Sequence, residues 1–336
     1  MGATPAAFLK KLDPKDFMCL GRQGEVFVKK PGSVAGQQFV IADCVDCDIF
    51  VCDHCEMVTI DRCQRCRIFI GPCESSIFVR NCVDIKLVAS CRQFRTRDCK
   101  QLDVLMHCVS QPSIETSSAV RFGCLQYFYF ALPAQFEAAG MSVFNNRWSE
   151  VYNFTPAKGG YTLLEGEAAS PTAFLKPLHK VADFSGAEEA DAWRTQSAVP
   201  LSLGPAAAAH GSCVLVGAPS LGTDGALELV RRLQTAGLPL ARSLEFVVNS
   251  EWRAKLSGAL ACVLGGGGLG AVPDGSRVIV LQVAGGEDSP AMAAEVLAIF
   301  NKAMGVVLAC AAASTAASAE MATRLFVDVD SGHALG

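Results

Sequence analysis

Three kinds of segment are missing from this chain of 336 residues. The first dozen, MGATPAAFLKKL, lack the apolar centre of a secretory signal. No apolar run reaches the roughly eighteen residues that a bilayer-spanning helix needs. No block of Lys or Arg marks a phosphate-tracking surface, and the net charge is −4 with a pI near 5.8. The chain is therefore expected to be neither secreted nor membrane-spanning, to work in the reducing cytoplasm, and to bind protein rather than nucleic acid.

What is present is apolar material, 51% of the residues, enough for two domains with sizeable cores. Sixteen cysteines are too sparse for a disulfide-stapled mini-protein, so thiols, metal ligands or packing residues are expected. Twelve of the sixteen lie between Cys44 and Cys124, so one domain uses cysteine for something.

The cysteines belong to a repeat. Sliding the sequence by nineteen residues aligns FVIADCVDCDIF (39–50) with VTIDRCQRCRIF (58–69), and the pattern continues in IFVRNCVDIKLV (77–88) and FRTRDCKQLDVL (94–105). Cys44, Cys63, Cys82 and Cys99 share one slot. Cys55, Cys73, Cys91 and Cys108 form a second ladder, and Ile41, Ile60, Val79 and Thr96 hold a β-branched slot. Short alternating runs separated by polar corners at Asp43, Arg62, Asn81 and Asp98 predict a parallel β-helix with four visible coils.

The spacing of Cys44, Cys47, Cys63 and Cys66 also fits a zinc template. Register favours packing instead. The slot of Cys47 and Cys66 is held by Ile85 and Leu102 in the next two coils, and a buried thiol behaves as a small hydrophobe, whereas a ligand does not exchange with Leu. No metal is expected, and His54 and His107 are read as partly exposed corner residues.

Alternation in the fourth coil turns Phe94 and Thr96 inward and Arg95 and Arg97 outward. In earlier coils the two outward slots carry Val40, Thr59 and Phe78, and Ala42, Asp61 and Arg80. Two exposed arginines are ordinarily solvated surface charges, so geometry alone gives them no role.

The stretches GSVAGQQFVIADC (32–44), QFRTRDC (93–99), SQPSIETSS (110–118), FGC (122–124) and FNNRWSEVYNFTP (144–156) supply a further reading. Together they closely resemble the retinitis-pigmentosa-2 family and, more loosely, the tubulin-folding cofactor C domain. The resemblance covers residues 13–157 nearly continuously. It implies a β-helix that activates an Arf-like small GTPase in its GTP state by inserting an arginine finger in trans, so that the protein is a GTPase activator and not itself an enzyme. Matched motif to motif, the finger is Arg95 and its neighbour Gln93. Glu115 and Phe154 would contact the partner, and Arg97 would support the site. A finger must be planar, permanently charged and rigidly held, which Arg95 on a β-helix strand satisfies. No cofactor of its own is implied, since GTP and magnesium belong to the partner.

The resemblance departs in two places. Arg92 stands where the family often has Gln, and Gly2 is followed by Ala3 and Ala6, without the Ser or Thr that myristoylation favours. One acyl chain anchors only marginally. Peripheral contact at the plasma membrane is thus expected without a stable lipid anchor, and the family places the protein in the cytoplasm at the ciliary base or cilium. The alternative function is a non-catalytic scaffold, or a tubulin-associated protein, that docks partners on the β-helix.

Residues 158–209 read as a linker, and 210–336 as a second domain. Strand patterns at 213–219, 244–248, 276–285 and 306–311 alternate with helical ones at 225–237, 250–264 and 290–304. This α/β order resembles the ferredoxin-like fold of nucleoside diphosphate kinases, as the family's plan implies. GGGGLG (265–270) follows a predicted helix and runs into a turn, so it is read as a loop with no pyrophosphate site. HGSC (210–213) is read as preceding the first strand. With no other His before His333, this half is expected to be catalytically silent, and AAASTAASAEMA (311–322) is a short helix or a frayed tail.

Overall fold

A computed structural model of the chain describes residues 13–158, 160–178, 196–209, 211–217, 219–250, 273–304, 309–311 and Phe326. The repeats wind into a parallel β-helix whose strands stack in columns. The first column comprises β1 (Met18–Leu20), β3 (Phe39–Ala42), β5 (Val58–Asp61), the later halves of β6 (Gln64–Arg80) and β7 (Val83–Arg97), β9 (Ser113–Glu115) and β11 (Tyr152–Asn153). The second comprises β2 (Val26–Lys29), β4 (Asp48–Val51), the earlier halves of β6 and β7, β8 (Lys100–Cys108), β10 (Ser118–Cys124) and β12 (Tyr161–Leu163). On a short third side Cys55, Cys73, Cys91 and Cys108 pair in turn. The four coils legible in the repeat are thus the middle of a taller stack, on the order of 30 Å high at the spacing of neighbouring strands.

The inward slots hold the core. Phe39, Val58, Ile77 and Phe94 are fully buried, as are Ile41, Ile60 and Val79, with Thr96 beside them. The slot of Cys47 and Cys66 passes to Ile85, Leu102, Val120 and finally Tyr161. The thiols do more than fill space. Each corner cysteine turns its Sγ–H back to the carbonyl two residues earlier: Cys44 to Ala42, Cys63 to Asp61, Cys82 to Arg80, Cys99 to Arg97, Cys47 to Val45 and Cys66 to Gln64. A small apolar group that also donates a hydrogen bond suits a tight corner, because each of these carbonyls already accepts an amide of the neighbouring coil and has a second lone pair to offer. Burial pushes the Cys66 thiol up to about 12, so it stays protonated and can donate. Among the described residues no three His, Cys, Asp or Glu side chains cluster as a metal site.

The corners are sharp because two residues in each are left-handed. Asp43, Arg62, Asn81, Asp98 and Thr116 have φ between 46° and 57°, and Asp46, Arg65, Asp84, Gln101 and Ala119 between 49° and 58°. Asp and Asn tolerate this conformation, whereas for other residues it costs about 1–2 kcal/mol. The arginines are held there by ion pairs to the coil below, Arg62 to Asp43 and Arg65 to Asp46, each at 2.7 Å.

Two expectations are corrected. His107 is no exposed corner. It is fully buried, with Nδ1 3.0 Å from Ser90 Oγ, Nε2 2.9 Å from the Ser142 carbonyl, and its ring edge-on to Phe136. The neutral ring donates from Nε2 and accepts at Nδ1, and burial lowers its pKa to about 4. The sequence does not show that helix α1 and the loop at Ser142 cover this side of β8. Nor is the outer row of Ala42 and Asp61 open to solvent, since both are buried. The Asp61 carboxylate accepts from Arg62, from Arg80 at 3.2 Å and from Asn81 at 2.9 Å, which compensates its desolvation. His54 is half-buried.

After β10 the chain leaves the stack through α1 (Leu132–Ala138), which packs on β6, and rejoins it at β11. The stack continues past residue 157. Tyr161–Leu163 pairs with β10, Lys86 donates to the Ala173 carbonyl, and Lys176 pairs with Asp48 at 2.7 Å, so residues read as the start of a linker lie on the β-helix.

Among the described residues the C-terminal part is a four-stranded antiparallel sheet in the order β14 (Leu240–Val247), β15 (Arg277–Ala284), β13 (Ser212–Val216), β16 (Ala309–Ala311). Helices α2 (Gly222–Thr235) and α3 (Ser289–Met304) lie between strands in the chain. Ser212 and Cys213 belong to β13 and do not precede it, and Ser212 Oγ accepts from Gln282. The expected helix over 250–264, the GGGGLG loop, His210, His333 and nearly all of the 311–322 segment lie outside the described residues. The FNNRW motif joins the two parts. Asn145 Nδ2 donates to the Glu245 carbonyl at 3.0 Å and Asn145 Oδ1 accepts from the Glu245 amide at 2.7 Å, as another strand would at the edge of β14. Ser243 adds a bond to the Phe144 carbonyl at 2.7 Å.

Candidate functional site

The five residues singled out in the sequence stand on one outer face of the first column. Gln93, Arg95 and Arg97 project from β7, with Phe94 and Thr96 buried between them and Phe94 packed edge-on against Phe122. Across the ladder, Arg95 faces Phe78 on one side and Ser113 on the other, and Arg97 faces Arg80 and Glu115. The next rung is the NFTP end of the detour. Tyr152 pairs with Ser113, and the Phe154 amide bonds to the Ile114 carbonyl at 2.9 Å, which sets Phe154 beside Glu115. Thr155 Oγ1 accepts from the Thr116 amide and so pins this rung to the left-handed corner. Four of the five therefore ride on strands locked by the core beneath them, and Phe154 directly follows β11.

The electrostatics of this face single out Arg95. Arg22, Arg62, Arg65, Arg67, Arg80, Arg97, Arg121 and Arg147 each hold a carboxylate. Arg92 donates to the Gly140 carbonyl at 2.9 Å and is thereby taken up in tying the detour to the stack. Arg95 instead donates from Nη2 to Gln93 Oε1 at 3.0 Å and has no ion pair among the described residues. Gln93 orients the guanidinium without neutralising it, so an incoming anion displaces no carboxylate. Glu115 likewise is exposed, with no hydrogen bond or ion pair to its carboxylate among the described residues, because Arg97 turns to Asp98 at 3.3 Å.

Phe154 is 62% exposed and therefore no core aromatic. Its ring stands edge-to-face on Tyr152, 4.7 Å between centroids. Tyr152, itself exposed, was missed in the sequence, although its i, i+2 spacing from Phe154 was a sign that the two share a face. Chemically the face offers one unneutralised guanidinium, one unpaired carboxylate and an aromatic pair.

Comparison with known proteins bears on the same residues. The family model "Tubulin binding cofactor C" matches residues 36–154, which include all five. The chain is similar to Protein XRP2 of Mus musculus, 40% identical over 246 residues that make up 72% of this chain and 70% of that protein. It is 44% identical over 161 residues to Protein XRP2 of Danio rerio and 41% identical over 161 residues to that of Homo sapiens. In those two matches it spans less than half of the relative, 43% and 46% of its length. Tubulin-specific chaperone C of Mus musculus is 22% identical over 126 residues, 38% of this chain and 37% of that protein. Among solved structures, tubulin binding cofactor C from Leishmania major aligns over 45% of this chain and 89% of its own, at 21% identity and a TM-score of 0.30.

Proposed function

The chain belongs to the XRP2, or retinitis-pigmentosa-2, family, and from that premise we propose that it is a GTPase-activating protein for an Arf-like small GTPase. The observation that carries the reading is the state of Arg95. It is an exposed guanidinium on a rigid strand, oriented by an amide, in a domain whose other arginines are spent on carboxylates or a carbonyl. On docking, Arg95 enters the nucleotide site of the GTP-bound partner and neutralises charge developing on the transferring γ-phosphoryl group. Such a finger contributes about 10³–10⁵ in rate, roughly 4–7 kcal/mol. Gln93 holds the guanidinium in plane, Arg97 keeps Asp98 occupied, and Glu115 and Phe154 contact the GTPase. The activator needs no cofactor, since GTP and magnesium come with the partner, and it is a regulator rather than an enzyme with its own substrate.

The C-terminal sheet, with its strand order and paired helices, we read as the ferredoxin-like domain of the nucleoside diphosphate kinase kind, without catalysis of its own. The setting is trafficking of membrane proteins at the cilium or its base, in the cytoplasm with peripheral membrane contact. The test is single-turnover GTP hydrolysis by a panel of Arf-like GTPases, with and without the full chain. Stimulation of at least one by a hundredfold or more is expected, and no stimulation of any would overturn the reading. Tubulin is the second partner class, on the names of the distant relatives, and binding to tubulin with no preference among nucleotide states of any GTPase would favour the scaffold instead.

A further inference from the structure

Between Arg95 and the Tyr152–Phe154 pair, the outer face of the first column has a gap. Arg95, Ser113 and Tyr152 are consecutive register partners, so the two larger side chains stand two strand spacings apart, about 9–10 Å. Ser113 between them is small, and its hydroxyl lies down on the Phe94 carbonyl at 3.4 Å. The floor of the gap is therefore flat. One wall is the aromatic pair, preorganised edge-to-face and more than half exposed on both rings. Two residues along from Ser113 on the same face is the unpaired carboxylate of Glu115, and the opposite wall is Arg95.

We propose that the gap over Ser113 is a specificity site that receives one basic side chain, a Lys or Arg, of the partner GTPase. Its methylene stem lies on Tyr152 and Phe154, and its charged head meets Glu115. An aromatic platform next to a free carboxylate is the chemistry that selects a cation with an apolar stem, through stacking, cation–π attraction and a charge-assisted hydrogen bond. The two arginines set its direction. Arg95 and Arg97 flank Ser113 and Glu115 on the β7 side, so like-charge repulsion drives a cation towards the aromatic side. The site thereby helps register the partner so that its nucleotide comes to Arg95 while its basic side chain stays away from it. Tyr152 and Ser113 are the residues this adds, and the proposal rests on the GTPase reading above.

The experiment measures binding of the full chain to the Arf-like panel loaded with a non-hydrolysable GTP analogue, for the parent and for Ser113→Leu, Tyr152→Ala and Glu115→Gln. Thermal melting reports folding of each. Ser113→Leu fills the gap, Tyr152→Ala removes its wall, and Glu115→Gln removes its charge. Each is expected to weaken binding by about tenfold or more. The Glu115→Gln complex should also depend less on salt. If Ser113→Leu and Tyr152→Ala bind as the parent does, the site is overturned while the activator reading stands. If Glu115→Gln alone binds as the parent does, the occupant is apolar and the basic-residue proposal fails. If no GTPase of the panel binds the parent, the activator reading falls and takes this site with it.

Discussion

Arg97 and Glu115 are register partners on adjacent strands, yet the Arg97 guanidinium turns away from Glu115 to Asp98. Opposite charges on facing rungs would ordinarily pair. Here the pairing falls one residue further along β7, into the left-handed corner, and Glu115 is left open on the face that Arg95 shares. If Arg97 serves to keep Asp98 occupied, then Arg97→Ala should leave the corner acid with Thr116 Oγ1 alone, open to attract Arg95, and reduce stimulation several-fold. The double variant Arg97→Ala/Asp98→Ala should recover it, as GTP hydrolysis rates would show.

Asn145 stands in for a strand at the edge of β14. Replacing it by Ala removes both of its bonds and leaves the buried amide and carbonyl of Glu245 unpaired. A loss of about 1–3 kcal/mol is expected from urea unfolding. Faster hydrogen exchange at the Glu245 amide should accompany it, with no change at β7.

Burial holds His107 neutral, with a folded pKa of about 4 against about 6.5 when unfolded. Between those values the unfolded chain binds more protons. The contribution is therefore fully present above about pH 6.5 and is lost as pH falls towards 4, on the order of 3 kcal/mol across the window. Urea midpoints of the parent should fall more steeply over this range than those of His107→Gln.

The corner thiols are buried and hydrogen-bonded to backbone carbonyls, and burial raises the Cys66 and Cys73 pKa values to about 12. Iodoacetamide at pH 8 should therefore leave the β-helix cysteines unmodified in the native protein and label them in urea, as peptide mass analysis would show. By the same packing, Cys66→Ile should melt within a few degrees of the parent, because Ile85 occupies that slot one coil later.

The inner face of the β-helix was legible because its slots repeat. Ile85 and Leu102 under Cys66 were enough to read thiols as packing residues, and the turn of Arg95 outward followed from Phe94 and Thr96. The ends of the stack were not legible. β1 and β2 share little pattern with the repeat, and Tyr152–Asn153 returns to its column only after a long detour whose length hides the period. His107 failed for a different reason. Alternation reports which side of a strand a residue takes, but not that α1 and the Ser142 loop cover that side. The arginine pairing was equally invisible, since it depends on which carboxylate lies one coil below. The face around Arg95 could be placed from the sequence, whereas Arg95's lack of a carboxylate and the gap over Ser113 needed the neighbouring coils.

The central claim is that Arg95 acts on the partner's phosphoryl group and not merely on docking. The direct measurement is single-turnover GTP hydrolysis by the responsive GTPase with the parent, Arg95→Ala and Arg95→Lys, set beside binding of the same proteins to the GTP-analogue state. Arg95→Ala is expected to lose about 10³-fold or more in stimulation with binding within about threefold, and Arg95→Lys to recover little of it. Stimulation by Arg95→Ala equal to that of the parent would contradict the account.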